Sequence, residues 1–247
     1  MRAIRQYLDA PLREGARVAL TEAALQRLVR VLRQGPGDEV ILFNGDGHDY
    51  RARLLSAGKR EGDAEILARA EPRGESPLSI TLAQALARGE KMDQVIQKAV
   101  ELGVSAIAPV VTERTEVKLD AERSDRRMQH WRGVVAGACE QCGRARLPAL
   151  SEPRALADFA AAAADAGAGR RFYLDPRASH GVASLGLAPD AQLTLVIGPE
   201  GGLSERDLAV LRAARFEGVQ LGPRVLRTET AGLAALAALN ALYGDWR

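Results

Sequence analysis

Leu193-Thr194-Leu195-Val196-Ile197-Gly198-Pro199-Glu200-Gly201-Gly202-Leu203-Ser204 joins an apolar run to the start of a helix through a turn containing three glycines. Residues 193–197 lack polar alternation over most of their length, the mark of a strand buried on both faces in a parallel sheet. Ser204 and Asp207 stand in capping-box-like positions at the head of a helix predicted over 204–214. The glycines permit positive φ and close backbone approach, and the helix start presents unpaired N–H groups, so the loop suits a ligand. It is neither the dinucleotide fingerprint G-x-G-x-x-G nor a P-loop, because no Gly-Lys-Ser/Thr follows. By itself it is equally readable as a structural turn.

Downstream the pattern repeats. A strand predicted at 219–221 bends at Gly222-Pro223 and runs through Arg224-Val225-Leu226-Arg227 into a helix over 229–243, which Thr228 can cap. Two strand-end loops about twenty residues apart, on strands able to lie side by side, form the two lips of one crevice. Upstream, a strand at 79–83, a helix at 91–102 and a strand at 106–111 have βαβ texture. Helices at 125–142 and 156–166 and a strand at 172–174 continue it. Alternating strands and helices predict an open α/β sheet with its ligand site at the carboxyl ends of the strands.

The front of the chain reads differently. Thr21 can cap one amphipathic helix over 22–33, and short β-leaning segments at 39–43, 50–56 and 64–70 are separated by Asn44-Gly45-Asp46-Gly47 and by residues 58–63. Residues 71–77, with two prolines, a glycine and a serine, fit a linker. The expected division is a small β module at 1–72 and an α/β domain at 77–247.

The 247 residues, 47% hydrophobic and 27% charged, suffice for a sizeable core. A net charge of +2 excludes a polycation whose role follows from charge alone, so any nucleic-acid surface is local. Arginine far outnumbers lysine, a bias that suits phosphate contacts but that a genome rich in G and C also produces. Residues 1–33 carry seven arginines against three acids, and Arg27, Arg30 and Arg33 are candidate phosphate contacts. Cys139 and Cys142 cannot build a disulfide framework. Their C-x-x-C spacing lacks a second pair, and with histidines only at 48, 130 and 180 no metal site and no Ser-His-Asp arrangement is expected. No signal peptide or spanning segment is legible, which predicts a cytoplasmic protein without a membrane role.

Four motifs in order are similar to one known family: Gln97-Lys98-Ala99-Val100-Glu101-Leu102-Gly103, Glu140-Gln141-Cys142-Gly143-Arg144, Gly198-Pro199-Glu200-Gly201-Gly202 and residues 221–231. They resemble the bacterial ribosomal RNA small-subunit methyltransferase E family, which belongs to the knotted SPOUT methyltransferases. Arg30-Val31-Leu32-Arg33 and Phe43-Asn44-Gly45-Asp46-Gly47 extend the likeness into its PUA-like domain. Departures are mild: Leu203 stands where an aromatic is common and Val225 where isoleucine is common. The resemblance implies a C-terminal trefoil knot, S-adenosylmethionine as methyl donor, N3 of a uridine in 16S ribosomal RNA as acceptor, and a homodimer. It implies as substrate the RNA of the small ribosomal subunit, in its assembled form.

On this reading the donor pocket comprises Leu174, Ile197, Gly198, Pro199, Glu200, Gly201, Gly202, Leu221, Gly222, Val225, Leu226 and Thr230. Uridine N3 carries a proton and is a poor nucleophile until it leaves, so the protein must align the partners and help remove that proton. Arg227 can stabilise charge developing on the uracil carbonyls, and Glu200 or Glu229 can accept the proton. Structural roles compete: Glu229 near a helix start, Glu200 as a brace. Arg144 is a further RNA-facing candidate, with an ion pair as its alternative. Leu233, Leu236, Ala237, Leu239 and Leu242 give the last helix an apolar surface wide enough for a core and a dimer partner. The competing functions are a knotted methyltransferase acting on a ribose 2′-OH or on transfer RNA, and a non-catalytic ribosome assembly factor. The glycine loops speak against the last, since a pure binder needs no donor crevice.

Overall fold

A computed structural model of the chain describes residues 4–71, 74–116, 121–167 and 169–246. The chain forms two compact units, one running to Glu75 and including Ala136–Leu147, the other comprising Ser76–Val135 and Pro148–Arg247. Of the expected linker, Pro72 and Arg73 lie outside the described residues. That residues 136–147 join the first unit is invisible to a reading that follows the chain.

The first unit contains β1 (Arg5–Tyr7), β2 (Arg17–Ala19), α1 (Glu22–Leu25), β3 (Glu39–Phe43), β4 (Asp49–Ala57) and β5 (Gly62–Ala70). The sheet order is β1-β3-β4-β5-β2, antiparallel except for β1 beside β3. Along β4 buried and exposed residues alternate, so Tyr50, Ala52 and Leu54 face a core with Leu8, Leu20, Leu28, Leu42 and Ile66. Thr21 caps α1 as expected, its Oγ1 accepting from Ala24 N at 3.2 Å. The single helix expected over 22–33 is instead a short α-helix continued by a π-type turn over Gln26–Val31. It ends where Arg33 takes φ 57° and Gln34 N donates to Leu28 O at 2.8 Å. That bond reaches back six residues, one more than a Schellman closure, as the wider π-type turn requires, and an arginine holds the left-handed position that glycine usually fills.

The second unit contains β6 (Ser79–Ala85), α2 (Lys91–Glu101), β7 (Ala106–Val111), the part of α3 (Ala121–Cys142) up to Val135, β8 (Ala149–Leu150) and β9 (Arg154–Ala155). It continues with α4 (Leu156–Asp165), β10 (Arg170–Leu174), β11 (Gln192–Ile197), α5 (Glu205–Ala213), β12 (Glu217–Val219) and α6 (Thr228–Tyr243). The strands form one parallel sheet in the order β12-β10-β11-β6-β7-β8, with β9 also on β7. This is the predicted α/β class. Strand alternation splits β6 between two cores: Ala83 and Ala85 pack with Leu156, Phe159, Leu208 and Leu211 of α4 and α5. On the opposite face α6 comes so close that a Cβ on Gly232 would lie 3.2 Å from Gln84 Oε1 and 3.3 Å from Leu82 Cδ1 and Ile197 Cγ1. Glycine is what lets helix and sheet approach there.

The strand expected at 219–221 lies two residues earlier. Gln220 N donates to His180 O at 2.9 Å in an isolated bridge, which ends the β10 pairing at Val219 and sends Leu221 into a loop. Among the described residues no helix is long and apolar enough to cross a membrane.

Candidate active site

Because β12, β10 and β11 are adjacent and parallel, with Leu174 opposite Val219 and Tyr173 opposite Val196, the loops that follow them emerge on one edge of the sheet. Between them lies a cavity of about 500 Å³, within the usual range for a small-molecule site. Leu174, Ile197, Val219, Leu221 and Leu226 give it apolar walls.

The glycine loop is held in shape by its own backbone. Gly202 N donates to Pro199 O at 2.8 Å and Gly202 takes φ 70°, a conformation that a side chain would strain. Ser204 then starts α5 with a complete capping box: its Oγ accepts from Asp207 N, and Asp207 accepts from Ser204 N. In the second loop Gly222 has φ 97°. The backbone N–H groups of Leu221, Gly222, Val225 and Leu226 donate to no protein group among the described residues. Buried or pocket-lining amides seldom stay unpaired without a ligand or water to receive them.

Three elements are stitched together behind the cavity. Thr228, expected as a cap for the last helix, is its first residue instead, after Arg227 at the cap position. Its buried hydroxyl accepts from Gln84 Nε2 at 2.9 Å and donates to Gly198 O at 2.6 Å. β6, the glycine loop and α6 therefore share one hydroxyl, which fixes the spacing of the two lips.

The rim is charged. Lys91 Nζ lies 3.2 Å from Glu200 Oε1 and 3.4 Å from Glu229 Oε2. The hydrogen bond from Lys91 to Glu200 is the main reason its ammonium sits above the ordinary lysine range. Burial pushes the Glu200 carboxyl upward, but its own backbone N–H, Lys91 and the Arg88 backbone outweigh that and hold it below the ordinary range. Across the cavity, Asp175 is bonded by Arg177; burial raises this carboxyl, yet the Arg177 side-chain and backbone bonds bring it below the usual value. Arg224 and Arg227 line the cavity, exposed, and make no ion pair among the described residues.

Most of the expected donor-pocket residues meet at this cavity, as do Arg227, Glu229 and Glu200. Two do not line it. Gly201 uses its carbonyl to accept from Arg114 Nη1 at 2.8 Å, and Thr230 is exposed in the first turn of α6. The arginines divide likewise. Arg30 and Arg33 are exposed, but Arg27 Nη1 donates to Arg5 O at 2.7 Å and Gln6 Oε1 at 3.0 Å and pairs with Glu140. Arg144, expected to face RNA, is 5% exposed and gripped by Glu75 at 2.8 Å. Its position just after a helix buries it against β1, where Arg5 Nη2 donates to its carbonyl. Sequence reasoning missed Lys91, Asp175 and Gln84. Asp175 directly follows an expected strand, so the strand-end rule that found the glycine loop applied to it equally; a buried glutamine ending β6 carries no comparable signal. Among the described residues no group of His, Cys, Asp and Glu is placed to hold a metal ion.

The family described as RNA methyltransferase domain matches residues 74–240, and that described as RNA methyltransferase PUA domain matches residues 28–67 in the first unit. The chain is 34% identical over 230 residues to ribosomal RNA small subunit methyltransferase E of Synechocystis, covering 92% of this chain and 74% of that one. It is 30% identical to the protein of that name from Buchnera aphidicola, over 98% of this chain and 97% of the other. A Legionella pneumophila structure with the bound cofactor SAM superposes with a TM-score of 0.93 at 39% identity, covering 99% of this chain and 100% of that one. Ribosomal RNA small subunit methyltransferase E from Neisseria gonorrhoeae, bound to S-adenosyl methionine, superposes with a TM-score of 0.90 at 35% identity over the whole of both chains. Matches of this length, spanning the β-rich PUA-like unit and the parallel α/β unit together, establish that the chain belongs to the ribosomal RNA small subunit methyltransferase E family of RNA methyltransferases.

Proposed function

We propose that the protein transfers a methyl group from S-adenosylmethionine to N3 of a uridine in 16S ribosomal RNA, in the assembled small subunit in the cytoplasm. The observation that carries this reading is the strand-end cavity: apolar walls, glycine-shaped lips and unpartnered backbone amides beside a charged rim. Those features fit the donor, whose adenosine needs apolar surface and backbone partners. When bound, S-adenosylmethionine supplies an activated methyl group; the methyl passes to the nitrogen lone pair, while the electron pair of the broken carbon–sulfur bond stays on sulfur.

The protein's residues have the remaining tasks. The amides of Leu221, Gly222, Val225 and Leu226 bind, and the side chains of Leu174, Ile197 and Leu226 exclude water. Glu229, or Glu200 across Lys91, takes the proton from N3. Glu229 is the better placed, because its Oε2 meets Lys91 only as an ion pair at 3.4 Å without a hydrogen bond, whereas Glu200 is hydrogen-bonded to Lys91 at 3.2 Å. Arg227, with no competing acid, faces the negative charge that develops on the uracil carbonyls as the proton leaves.

Two further features accompany this reading. The family likeness implies a trefoil knot formed by the segments around the glycine loop and the loop before α6. It also implies a homodimer, for which α6 has apolar surface left over: Leu236 and Leu239 are buried, whereas Leu242 is 41% exposed.

The deciding experiment incubates small subunits from a strain lacking the protein with the enzyme and S-adenosylmethionine, then identifies nucleosides by mass spectrometry. 3-Methyluridine is expected. A 2′-O-methylated nucleoside, methylation of transfer RNA alone, or binding without methylation would each replace the proposal with one of its rivals.

A further inference from the structure

Lys91 opens α2, Glu200 stands in the glycine loop, and Glu229 lies in the first turn of α6. One ammonium thus touches two carboxylates from two other elements, and all three residues line the cavity. We propose that Lys91 is a positioning residue that clamps Glu200 and Glu229 to a single ammonium, keeping the pair charged and on station where the acceptor base gives up its N3 proton. The inference rests on the methyl-transfer reading and assigns a task to a residue that the reaction itself does not touch.

The surrounding charges leave this task to Lys91. Arg88, just before α2, pairs with Glu116, and the Arg114 guanidinium is bonded to Gly201 O. On the β10 side Arg177 is engaged by Asp175. Arg224 and Arg227 line the same cavity but form no ion pair with either glutamate. Two carboxylates facing each other without a cation repel, and the easiest relief is for one to take a proton. A protonated carboxyl cannot accept another from N3. With one ammonium between two carboxylates, the rim keeps one uncompensated negative charge, available to a proton arriving from the substrate. The clamp also ties the glycine loop to α6, as the Thr228 hydroxyl does through Gly198 O.

The test uses the full-length protein and the variants Lys91→Met and Lys91→Arg. In methylation of small subunits, Lys91→Met should move the acidic limb of the kcat/KM profile upward by about one pH unit, and Lys91→Arg should restore it. Activity at the foot of the limb should then fall about tenfold more than on the plateau. A second arm follows the Glu200 carboxyl by carbon-13 NMR without RNA or donor. It should titrate below the ordinary range in the wild type and higher in Lys91→Met. Because this arm needs no catalysis, a wild type that methylates nothing would sink the functional reading without deciding the clamp. An unmoved limb in a folded Lys91→Met enzyme would overturn the proposal. So would a wild-type Glu200 titrating at or above the ordinary carboxylate range, which decides the matter even if Lys91→Met does not fold.

Discussion

The same residue types serve opposite ends in the two units. In the first, charged groups pair with one another: Arg5 with Asp49, Arg27 with Glu140, and Arg144 with Glu75, while Arg5 also stacks on Phe43. Of the buried atoms in these pairs, only Arg5 Nε and Asp49 Oδ1 lack a hydrogen bond among the described residues. Glu140 additionally accepts from Tyr7 N and Gln6 Nε2, both at 2.8 Å. In the second unit the loops at the sheet edge leave Arg224, Arg227 and several backbone amides without a partner among the described residues, around a cavity. A buried polar network whose members satisfy one another fixes a structure, whereas polar groups held in place without partners await a ligand. Partnership, more than residue type, separates scaffold from site.

Removing an unpartnered group should leave the fold alone and strike turnover. Arg227→Ala is expected to lower kcat by about 10²–10³-fold, the usual cost of deleting a group that stabilises transition-state charge. Affinity for S-adenosylmethionine, read by calorimetry, should stay within a few-fold, because the interaction matters only as charge develops. Wild-type turnover in this variant, or a melting temperature several degrees lower, would place Arg227 with the scaffold arginines and dissolve the contrast.

Removing a partnered group should do the reverse. Glu140 is 8% exposed, and its loss leaves Arg27, Gln6 Nε2 and Tyr7 N–H short of an acceptor. Glu140→Ala should therefore cost about 3 kcal/mol in denaturant unfolding, with the donor site intact. Glu140→Gln keeps an acceptor and should cost less. Burial pushes the Glu140 carboxyl above its ordinary range, against the Tyr7 N–H, Arg27 and Arg5. The folded state thus holds this proton more tightly than the unfolded chain, so the group's contribution to stability falls as pH rises from the ordinary carboxylate range through the raised folded value. The glutamine variant lacks that dependence, and its deficit against the wild type should shrink across the same window. A constant deficit would show that Glu140 is not strained by burial.

This contrast marks what the sequence could reveal. Element types and order were legible because periodicity and glycine punctuation are local, and both lips of the cavity could be named from strand-end loops alone. Three things were not. The π-type continuation after Leu25 depends on a closure made by Arg33, a residue with no propensity for it. The membership of 136–147 in the first unit depends on Glu140 and Arg144 finding partners at Gln6, Tyr7 and Glu75. The burial of Gln84 under Gly232 depends on how closely a helix approaches a sheet. The first sets a local rule against its usual residue; the other two are long-range pairings, and a charged or polar residue looks the same in sequence whether its partner lies across the fold or in the ligand.

The smallest expected effect separates arginines only a few residues apart. Arg30, in the last turn of the helical stretch of the first unit, and Arg33, just past it, are exposed, while Arg27 is bonded to Arg5 O, Gln6 and Glu140. If the exposed pair meets phosphates, replacing either with alanine should weaken small-subunit binding a few-fold, because one phosphate fewer is neutralised and fewer counterions are released on binding. The slope of log K against log salt should shallow by about 0.7–0.9 per phosphate, with melting unchanged. Arg33 takes φ 57°, and alanine there stays in the same strained region, so lysine is the useful control: it keeps the charge and should keep the slope. Arg27→Ala is expected to give the opposite pair of results, a lower unfolding midpoint with the salt slope preserved. Should Arg27→Ala shallow the slope while leaving stability intact, its bonds to Arg5 and Gln6 would be incidental, and partnership within the fold would no longer distinguish the arginines that hold the first unit together from those that meet RNA.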